Sequence, residues 1–154
     1  EELLDVILEK DGYYFERLVV DVFVKMGYGN FCANAKEVTK KSNDGGIDGI
    51  INQDKLGLDK IYIQAKRWTE GLVGRPELQK FVGALSERQA NKGIFITTSD
   101  FTKDAREYVE KVSQNIVLIN GKRLTKLMIE NNVGVQVNYT YDIKKIDNDY
   151  FEMI

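Results

Sequence analysis

Residues 61–68 have the sequence IYIQAKRW, which is typical of a short β-strand that ends in a basic pair. Because successive strand side chains point to opposite faces of a sheet, Gln64 and Lys66 project from the same face, about 7 Å apart. Ala65 points to the other face. A glutamine and a lysine on an otherwise apolar strand are costly to bury without partners. This stretch therefore indicates a polar site on a sheet.

A carboxylate of the same character lies upstream, in the stretch DGGIDG at residues 44–49. Asp48 interrupts an apolar series and follows two glycines, which let another backbone or a phosphate approach closely. It belongs to a second short predicted strand, at residues 47–52, and a polar, glycine-containing loop joins the two strands. If the strands pair, one face presents the carboxylate of Asp48, the amide of Gln64 and the ammonium of Lys66.

This set of side chains suits the hydrolysis of a phosphodiester. Two oxygens can hold Mg²⁺ beside the scissile phosphate while water fills the remaining positions. The metal lowers the pKa of a water and neutralises charge that develops on phosphorus. A nearby lysine orients the attacking water or helps to deprotonate it, and stabilises the added negative charge. The spacing alone is equally compatible with a salt bridge or an edge-strand polar pair, with Lys66 in solvent.

A second acidic candidate lies on a helix predicted over residues 14–26, whose apolar side chains form a stripe with a 3.6-residue period. Glu16 is about 100° round the helix from Phe15, which places it at the boundary of the buried face. Arg17 and Asp21 fall on the wet side. A boundary carboxylate can reach over the sheet and give the metal a second negative charge. The alternative is an ordinary solvated helix residue.

The rest of the chain alternates between helical and strand patterns, with the only proline, Pro76, at a predicted helix start. The further helices are predicted at residues 102–112 and 124–129, and the further strands at residues 31–39, 93–98, 116–119 and 135–143. The predicted fold is an α/β sandwich with a mixed sheet. Its early strands are antiparallel, and its later strands are parallel where helices intervene.

The composition indicates one globular domain and excludes several kinds of chemistry. The 154 residues are 43% hydrophobic and 30% charged with a net charge of −2, and no apolar run approaches the roughly 18 residues of a membrane span. There is no histidine, which removes Ser-His-Asp and Cys-His catalysis and histidine-bearing zinc sites. The single cysteine, Cys32, excludes an internal disulfide and fits a reducing cytosol. Hydrolysis must therefore depend on carboxylates, lysine and a hard metal ion.

These motifs together resemble the signature of the Mrr-type catalytic domain, a branch of the PD-(D/E)xK nuclease superfamily. In that QxK branch a glutamine replaces the acidic residue before the lysine, as in DGGIDG at residues 44–49 followed by IQAKRW at residues 63–68. The other blocks that resemble the family are Phe15-Glu16, residues 73–83, GIFITTS at 93–99, residues 119–124 and DNDYF at 147–151. The likeness covers most of the chain, from about Tyr13 onward.

The resemblance implies a restriction-endonuclease-like fold, a mixed β-sheet flanked by helices with an α-β-β-β-α-β core. It implies a single catalytic domain over residues 1–154, in which residues 1–12 can be the end of an upstream linker or helix. The implied activity is Mg²⁺-dependent cleavage of double-stranded DNA, with Mn²⁺ as a substitute, often to restrict modified foreign DNA. Carried over by position, Asp48 and Gln64 bind metal, Lys66 is the catalytic lysine and Glu16 is an auxiliary acidic metal ligand.

Local basic and polar residues are candidate DNA contacts despite the acidic net charge. They are Lys40, Lys41, Arg67, Arg75, Gln79 and Lys80. The hydroxyls of residues 97–99 suit a phosphate near a helix start, and they suit a capping or turn role equally well. Trp68 is expected to pack rather than to stack on a base.

The expected partners follow from the implied activity. Duplex cleavage needs two cuts, which favours a homodimer. The sequence starts at Glu1 rather than at Met, so we expect a DNA-recognition domain upstream. We expect no membrane association and a cytoplasmic location in a prokaryotic cell.

Two other functions stay open at this point. The neutral Gln64 leaves the metal site with one fewer charge, which is compatible with a catalytically weak or inactive DNA-binding module of nuclease fold. A structure-selective nuclease of the Holliday-junction-resolvase type is also compatible with the motifs.

Overall fold

Among the described residues, helices and strands follow the predicted order as far as the helix that begins at Gly121. The computed structural model describes residues 1–28 and 47–153, so the predicted strand at residues 31–39 and the candidates Cys32, Lys40 and Lys41 lie outside the described residues. The helices are α1 Glu2–Leu8, α2 Gly12–Lys25, α3 Arg75–Glu87, α4 Lys103–Lys111, α5 Gly121–Glu130 and α6 Asn148–Glu152. The strands are β1 Gly49–Asn52, β2 Lys60–Lys66, β3 Lys92–Thr97 and β4 Asn115–Ile119.

The four strands form one mixed sheet in the order β1-β2-β3-β4. The pair β1 and β2 is antiparallel, because the two strands are joined by a short loop over residues 53–59. The pairs β2–β3 and β3–β4 are parallel, because α3 and α4 provide the crossovers that return the chain to the same edge. The predicted mixed sheet is therefore confirmed for the described strands.

Helices cover both faces of the sheet, and the alternation along β2 assigns each side chain to a face. Ile63 and Ala65 lie in a core cluster with side chains of α1, α2 and α5. Tyr62 packs against a second cluster, which is formed with α3 and α4. Because side chains alternate along a strand, Gln64 and Lys66 share the face of Tyr62 and are directed towards α3.

Polar residues fix where three of the helices begin. Asp11 accepts a hydrogen bond from the backbone N–H of Tyr14 at 2.7 Å, so α2 begins at Gly12, two residues before the predicted start. Thr102 caps α4 as predicted, by accepting from the backbone N–H of Ala105 at 3.1 Å. Asn120 caps α5 in the same way. These caps fix the direction in which each helix leaves its loop.

The first helix packs into the domain. Ile7 on α1 is 2% exposed and lies in the core cluster that contains side chains of α2 and α5. Within the described ranges, no helix has both the length and the apolar character needed to cross a membrane.

The strand predicted at residues 135–143 is wrong. The described chain there has no regular secondary structure, and its apolar side chains lie in solvent. The exposed fractions are 67% for Val137 and Tyr139, 80% for Tyr141 and 100% for Ile143. An alternating sequence forms a strand only where a neighbouring strand pairs with its backbone, and this segment joins none of the described strands.

The contact between α5 and the end of β3 provides a test of the packing. A Cβ at Gly121 would lie 2.2 Å from the backbone oxygen of Thr98 and 3.2 Å from Leu4 Cδ1. We expect Gly121→Ala to lower the free energy of unfolding by about 1–3 kcal/mol, because the backbone must shift to make room. Urea unfolding followed by circular dichroism measures this change.

The matched control for this prediction is Gly83, in the interior of α3. A Cβ there would have nothing within 4 Å. Since glycine weakens a helix interior, Gly83→Ala should raise the free energy of unfolding by about 0.5–1 kcal/mol. Equal stability of the Gly121→Ala variant and the wild type would contradict the close approach of α5 to β3.

Candidate active site

Gln64 lies at the centre of the sheet with its amide oxygen buried. Its strand β2 has β1 on one side and β3 on the other, and Gln64 pairs in register with Phe95. The residue is 7% exposed, and Oε1 has no hydrogen-bond partner among the described residues. An unsatisfied buried acceptor of this kind costs about 1–3 kcal/mol. A bound cation is one of the ordinary explanations for such an oxygen.

Asp48 is fixed against β2 by two hydrogen bonds. It directly precedes β1, whose first residue Gly49 pairs with Ile63. The backbone N–H of Asp48 donates to the backbone oxygen of Ile63 at 2.8 Å. The side-chain Oδ2 of Asp48 accepts from the backbone N–H of Ala65 at 2.7 Å. The carboxylate of Asp48 is therefore held beside the strand segment that carries Gln64.

The surroundings of Asp48 disfavour its negative charge. Burial raises the pKa of its carboxyl above the ordinary value, although the N–H of Ala65 and the ammonium of Lys66 both lower it. Desolvation is the largest of these effects, so the charged form costs more here than in water. A cation beside Asp48 would offset that cost.

Glu16 brings a second carboxylate to the same place. It is half-buried on α2, whereas Arg17 and Asp21 are exposed, as expected from the helical spacing. The pKa of Glu16 is raised, first by burial and then by the negative charges of Asp48 and Asp11. The negative charge of Asp48 is among the causes that raise the pKa of Glu16, so the two carboxylates lie near enough to interact electrostatically.

The three side chains offer the donor atoms that Mg²⁺ prefers. Asp48 and Glu16 supply carboxylate oxygens, and Gln64 supplies the unpaired amide oxygen. No group of three or more acidic, histidine or cysteine side chains that could hold a metal is found in the described residues. The predicted donor set has only two carboxylates, and its third donor is an amide. The residues present fit a hard divalent cation.

Lys66 ends β2 on the same face as Gln64, and its ammonium is held on two sides. Its Nζ donates a hydrogen bond to Oε2 of Glu77 on α3. The same Nζ lies 5.7 Å from the centre of the Trp68 ring, which is within the range of a cation–π contact. Lys66 is thus paired with Glu77, lies near enough to Asp48 to affect the pKa of its carboxyl, and is not free in solvent.

Glu77 is a residue that the sequence analysis missed. It lies in the first turn of α3, where an acidic residue ordinarily needs no explanation beyond the helix dipole. Hydrogen bonding to Lys66 lowers the pKa of its carboxyl, despite the opposing effect of burial. The one available signal was its position next to Pro76, at a helix start that follows the predicted strand.

The candidate DNA contacts differ in whether their side chains have partners within the protein. The Nε of Arg67 donates to the backbone oxygen of Lys10 at 2.6 Å. Arg75 lies 3.5 Å from the Asp104 carboxylate, and its guanidinium carbon is 5.0 Å from the centre of the Tyr108 ring. These two arginines therefore have structural partners within the domain.

The remaining described candidates lie on the exposed side of α3. Gln79 is exposed, and the side chain of Lys80 is 73% exposed while its Nζ lies 3.4 Å from Glu77 Oε1. Lys80 reaches Glu77, which pairs with Lys66, so its side chain lies near the end of β2, whereas Gln79 lies on the same helix two residues after Glu77.

The hydroxyls of residues 97–99 are used inside the protein. Thr98 Oγ1 accepts from the backbone N–H of Trp68 at 2.8 Å and donates to the backbone oxygen of Trp68 at 2.9 Å. Thr97 Oγ1 accepts from the backbone N–H of Ser99 at 3.2 Å. Trp68 itself packs against the core cluster of α3 and α4. The turn role and the packing role predicted for these residues are the ones that the structure supports.

Comparison with known proteins identifies the family and agrees with this fold. A family model described as restriction endonuclease, of the Mrr catalytic type, matches residues 7–128. The chain is 48% identical over 152 residues to the type IV methyl-directed restriction enzyme EcoKMrr of Escherichia coli (strain K12). The aligned region covers 99% of this chain and 49% of that protein. A second relative, the uncharacterized protein y4cE of Sinorhizobium fredii, is 28% identical over 102 residues, covering 65% of this chain and 25% of the relative. The chain thus spans about half or less of these relatives.

Solved structures of restriction enzymes share the fold. The DNA modification-dependent restriction endonuclease AspBHI superposes with a TM-score of 0.67 at 19% identity, over 87% of this chain and 36% of that one. The MspJI restriction endonuclease, in complex with a 27-mer oligonucleotide, gives a TM-score of 0.56 at 22% identity, over 85% of this chain and 32% of that one. The predicted restriction-endonuclease-like fold is confirmed.

Proposed function

This chain belongs to the Mrr-type restriction endonuclease family, and from that premise we propose that it is a metal-dependent endonuclease that hydrolyses phosphodiester bonds of double-stranded DNA. The proposed metal is Mg²⁺, with Mn²⁺ as a substitute. The observation that carries the proposal is the buried, unpaired Oε1 of Gln64 next to the anchored carboxylate of Asp48. An apolar residue would fill that space at lower cost if no ligand bound there.

Asp48, Gln64 and Glu16 are the residues that would hold the metal. When bound there, Mg²⁺ supplies Lewis-acid activation of water and neutralises charge that develops at phosphorus. Glu16 and Asp48 would each supply negative charge, and burial raises the pKa of both carboxyls, so a bound cation would offset the cost of charging them there. Because Gln64 is neutral, Glu16 becomes the second source of charge for the site.

Lys66 is the proposed catalytic lysine. Its ammonium would donate a hydrogen bond to a non-bridging oxygen of the scissile phosphate and stabilise the charge added during attack. The same ammonium would also orient the attacking water. The side chain is 34% exposed, which leaves room for a phosphate to approach from the solvent side.

The exposed end of α3 provides the proposed contact with the DNA backbone. Lys80 shares Glu77 with the proposed catalytic lysine, and both Gln79 and Lys80 reach solvent, so they suit sequence-independent contacts with phosphates. Arg67 and Arg75 keep guanidinium donors that their structural partners leave available, and they extend the same basic surface.

The wider role follows from the relatives. The relative EcoKMrr is described as methyl-directed, and AspBHI as dependent on DNA modification. We propose that this chain is the cleavage domain of a restriction enzyme that acts on modified foreign DNA in the prokaryotic cytoplasm. Base recognition would then reside in another domain, and two copies of the chain would make the two cuts of a duplex.

Cleavage of plasmid DNA tests the proposal directly. Supercoiled plasmid, methylated or unmethylated, is incubated with the protein in Mg²⁺, Mn²⁺ or EDTA. We expect nicked and then linear DNA with either metal and no product in EDTA. An Asp48→Ala preparation, purified in parallel, controls for contaminating nucleases, and product formed by that variant would contradict the assigned metal site.

The same assay separates the two alternative functions. DNA binding without cleavage in any divalent metal would favour an inactive binding module, in which the neutral Gln64 leaves the site too weak. Faster cleavage of a four-way junction than of linear duplex would favour a structure-selective resolvase.

A further inference from the structure

Glu77 and Lys66 form an ion pair that links the helix α3 to the proposed catalytic strand. Oε2 of Glu77 accepts from Lys66 Nζ, and Oε1 lies 3.4 Å from Lys80 Nζ. The side chain of Glu77 is 19% exposed and that of Lys66 is 34% exposed. The other ion pairs of nearby helices are more open, with side chains 45% and 65% exposed for Arg75–Asp104 and 90% and 50% for Lys103–Glu107. The Glu77–Lys66 pair is therefore better shielded from solvent than an ordinary surface salt bridge.

The carboxylate of Glu77 stands on a rigid part of the fold. Val73, just before α3, is fully buried, and its backbone N–H donates to the backbone oxygen of Asp100 at 2.8 Å. Its backbone oxygen accepts from Thr102 at 3.0 Å. Leu78, next to Glu77, is fully buried against the sheet. The first turn of α3 is thus fixed on both sides of Glu77.

A lysine at the end of a strand has much freedom to lose. Its four-carbon stem is flexible, and an ammonium without an anchor samples many positions. A catalytic ammonium that binds a phosphate is more effective when its position is restricted before the substrate binds. Glu77 from one side and the Trp68 ring from another restrict it here.

We propose that Glu77 is a positioning residue for cleavage, whose carboxylate holds the ammonium of Lys66 at the end of β2 where the scissile phosphate is to bind. This inference rests on the proposed function, because it presumes that Lys66 acts in cleavage. Glu77 acts through Lys66 and contacts neither the metal site nor the DNA. The second oxygen of Glu77 pairs with Lys80, so part of its negative charge is neutralised before DNA arrives.

The test compares Glu77→Gln, Glu77→Asp and Lys66→Ala with the wild type in single-turnover cleavage. Glu77→Gln keeps the size of the side chain but removes the charge, and we expect a fall of about 10- to 100-fold in the cleavage rate, the range that a small misplacement costs. Affinity for DNA, measured in Ca²⁺, and the Mg²⁺ concentration for half-maximal rate should stay unchanged. Glu77→Asp should recover part of the rate. Glu87→Gln, at the exposed end of the same helix, is the matched control and should cleave as the wild type does.

A measurement on the free protein, without metal or DNA, tests whether Glu77 restrains the ammonium of Lys66. In ¹⁵N relaxation of the lysine ammonium groups, Lys66 should be ordered in the wild type and mobile in Glu77→Gln. The ammonium of Lys103, whose side chain is 90% exposed, should be mobile in both. The double variant Lys66→Ala/Glu77→Gln should cleave no more slowly than Lys66→Ala alone, because the glutamate has no other route to the reaction.

The outcomes separate this inference from the proposed function. Cleavage by Lys66→Ala at the wild-type rate would overturn the proposed role of the lysine itself. Loss of cleavage in Lys66→Ala with an unaffected Glu77→Gln would overturn only the positioning role. A changed Mg²⁺ requirement in Glu77→Gln, or an ammonium as mobile in wild type as in the variant, would also overturn it.

Discussion

Replacing Asp48 with asparagine is expected to abolish DNA cleavage and, in metal-free buffer, to stabilise the protein. Loss of a group that merely supports a metal ligand typically costs about 10- to 100-fold in activity or metal affinity, so loss of a direct ligand should cost at least about 100-fold. Asparagine can still accept the hydrogen bond from the backbone N–H of Ala65, which keeps the local structure. Plasmid cleavage and thermal unfolding in EDTA measure the two effects.

The stability gain has a definite dependence on pH. Burial raises the pKa of Asp48 above its ordinary value of 3.8, so the protonated form is favoured in the folded state. The stability that this group contributes is fully present below pH 3.8 and is lost as the pH rises through the folded pKa. The advantage of the asparagine variant should therefore be absent in acid and complete at neutral pH. At pH 7 the Asp48→Asn variant should therefore unfold at a higher Tm than the wild type does.

Addition of Mg²⁺ should reverse the order of stability. A ligand that binds only the folded state raises the free energy of unfolding according to its concentration relative to its Kd. The wild type should gain stability with Mg²⁺, and the Asp48→Asn variant should gain little. Asp142→Asn, in the exposed C-terminal segment, is the matched control and should leave both stability and cleavage unchanged. A destabilised Asp48→Asn protein in EDTA would contradict the view that an isolated charge is costly at this position.

The positions of the proposed site residues could be predicted because they depend on short-range rules, whereas the roles assigned to these residues rest on the family resemblance. The two-residue period of a strand places Gln64 and Lys66 on one face whatever the rest of the chain does. The position of Asp48 followed from the pairing of two strands joined by a short loop. The structure shows this pairing, with Gly49 opposite Ile63. Glu16 needed only the helical period. Strand and helix periods do not predict tertiary contacts, so the partners of these side chains were less predictable.

Residues joined by tertiary packing were missed or misjudged. Glu77 reaches Lys66 because α3 crosses the face of β2, and that crossing is set by buried contacts far apart in sequence. The hydrogen bond from Nε of Arg67 to the backbone oxygen of Lys10 was missed for the same reason, because it joins residues far apart in sequence. The strand predicted at residues 135–143 failed because alternation describes one strand and cannot supply its neighbour.

Replacing Lys66 with alanine is expected to slow cleavage by about 10²- to 10⁴-fold while DNA binding is largely kept. The ammonium stabilises charge that develops in the transition state, so its loss should appear in the single-turnover rate rather than in affinity for the DNA ground state. Gel-shift titration in Ca²⁺ measures affinity, and cleavage in Mg²⁺ measures the rate. Lys122→Ala, on the exposed surface of α5, is the matched control and should match the wild type in both.

Stability separates a catalytic loss from a structural one in this variant. Without Lys66, the half-buried carboxylate of Glu77 keeps only the contact with Lys80, so a modest fall in Tm is expected. Adding Glu77→Gln to Lys66→Ala should recover that Tm, because no unpaired charge remains, but should recover no cleavage. If the double variant regained cleavage together with stability, the loss in Lys66→Ala would be structural and the lysine would have no part in the reaction.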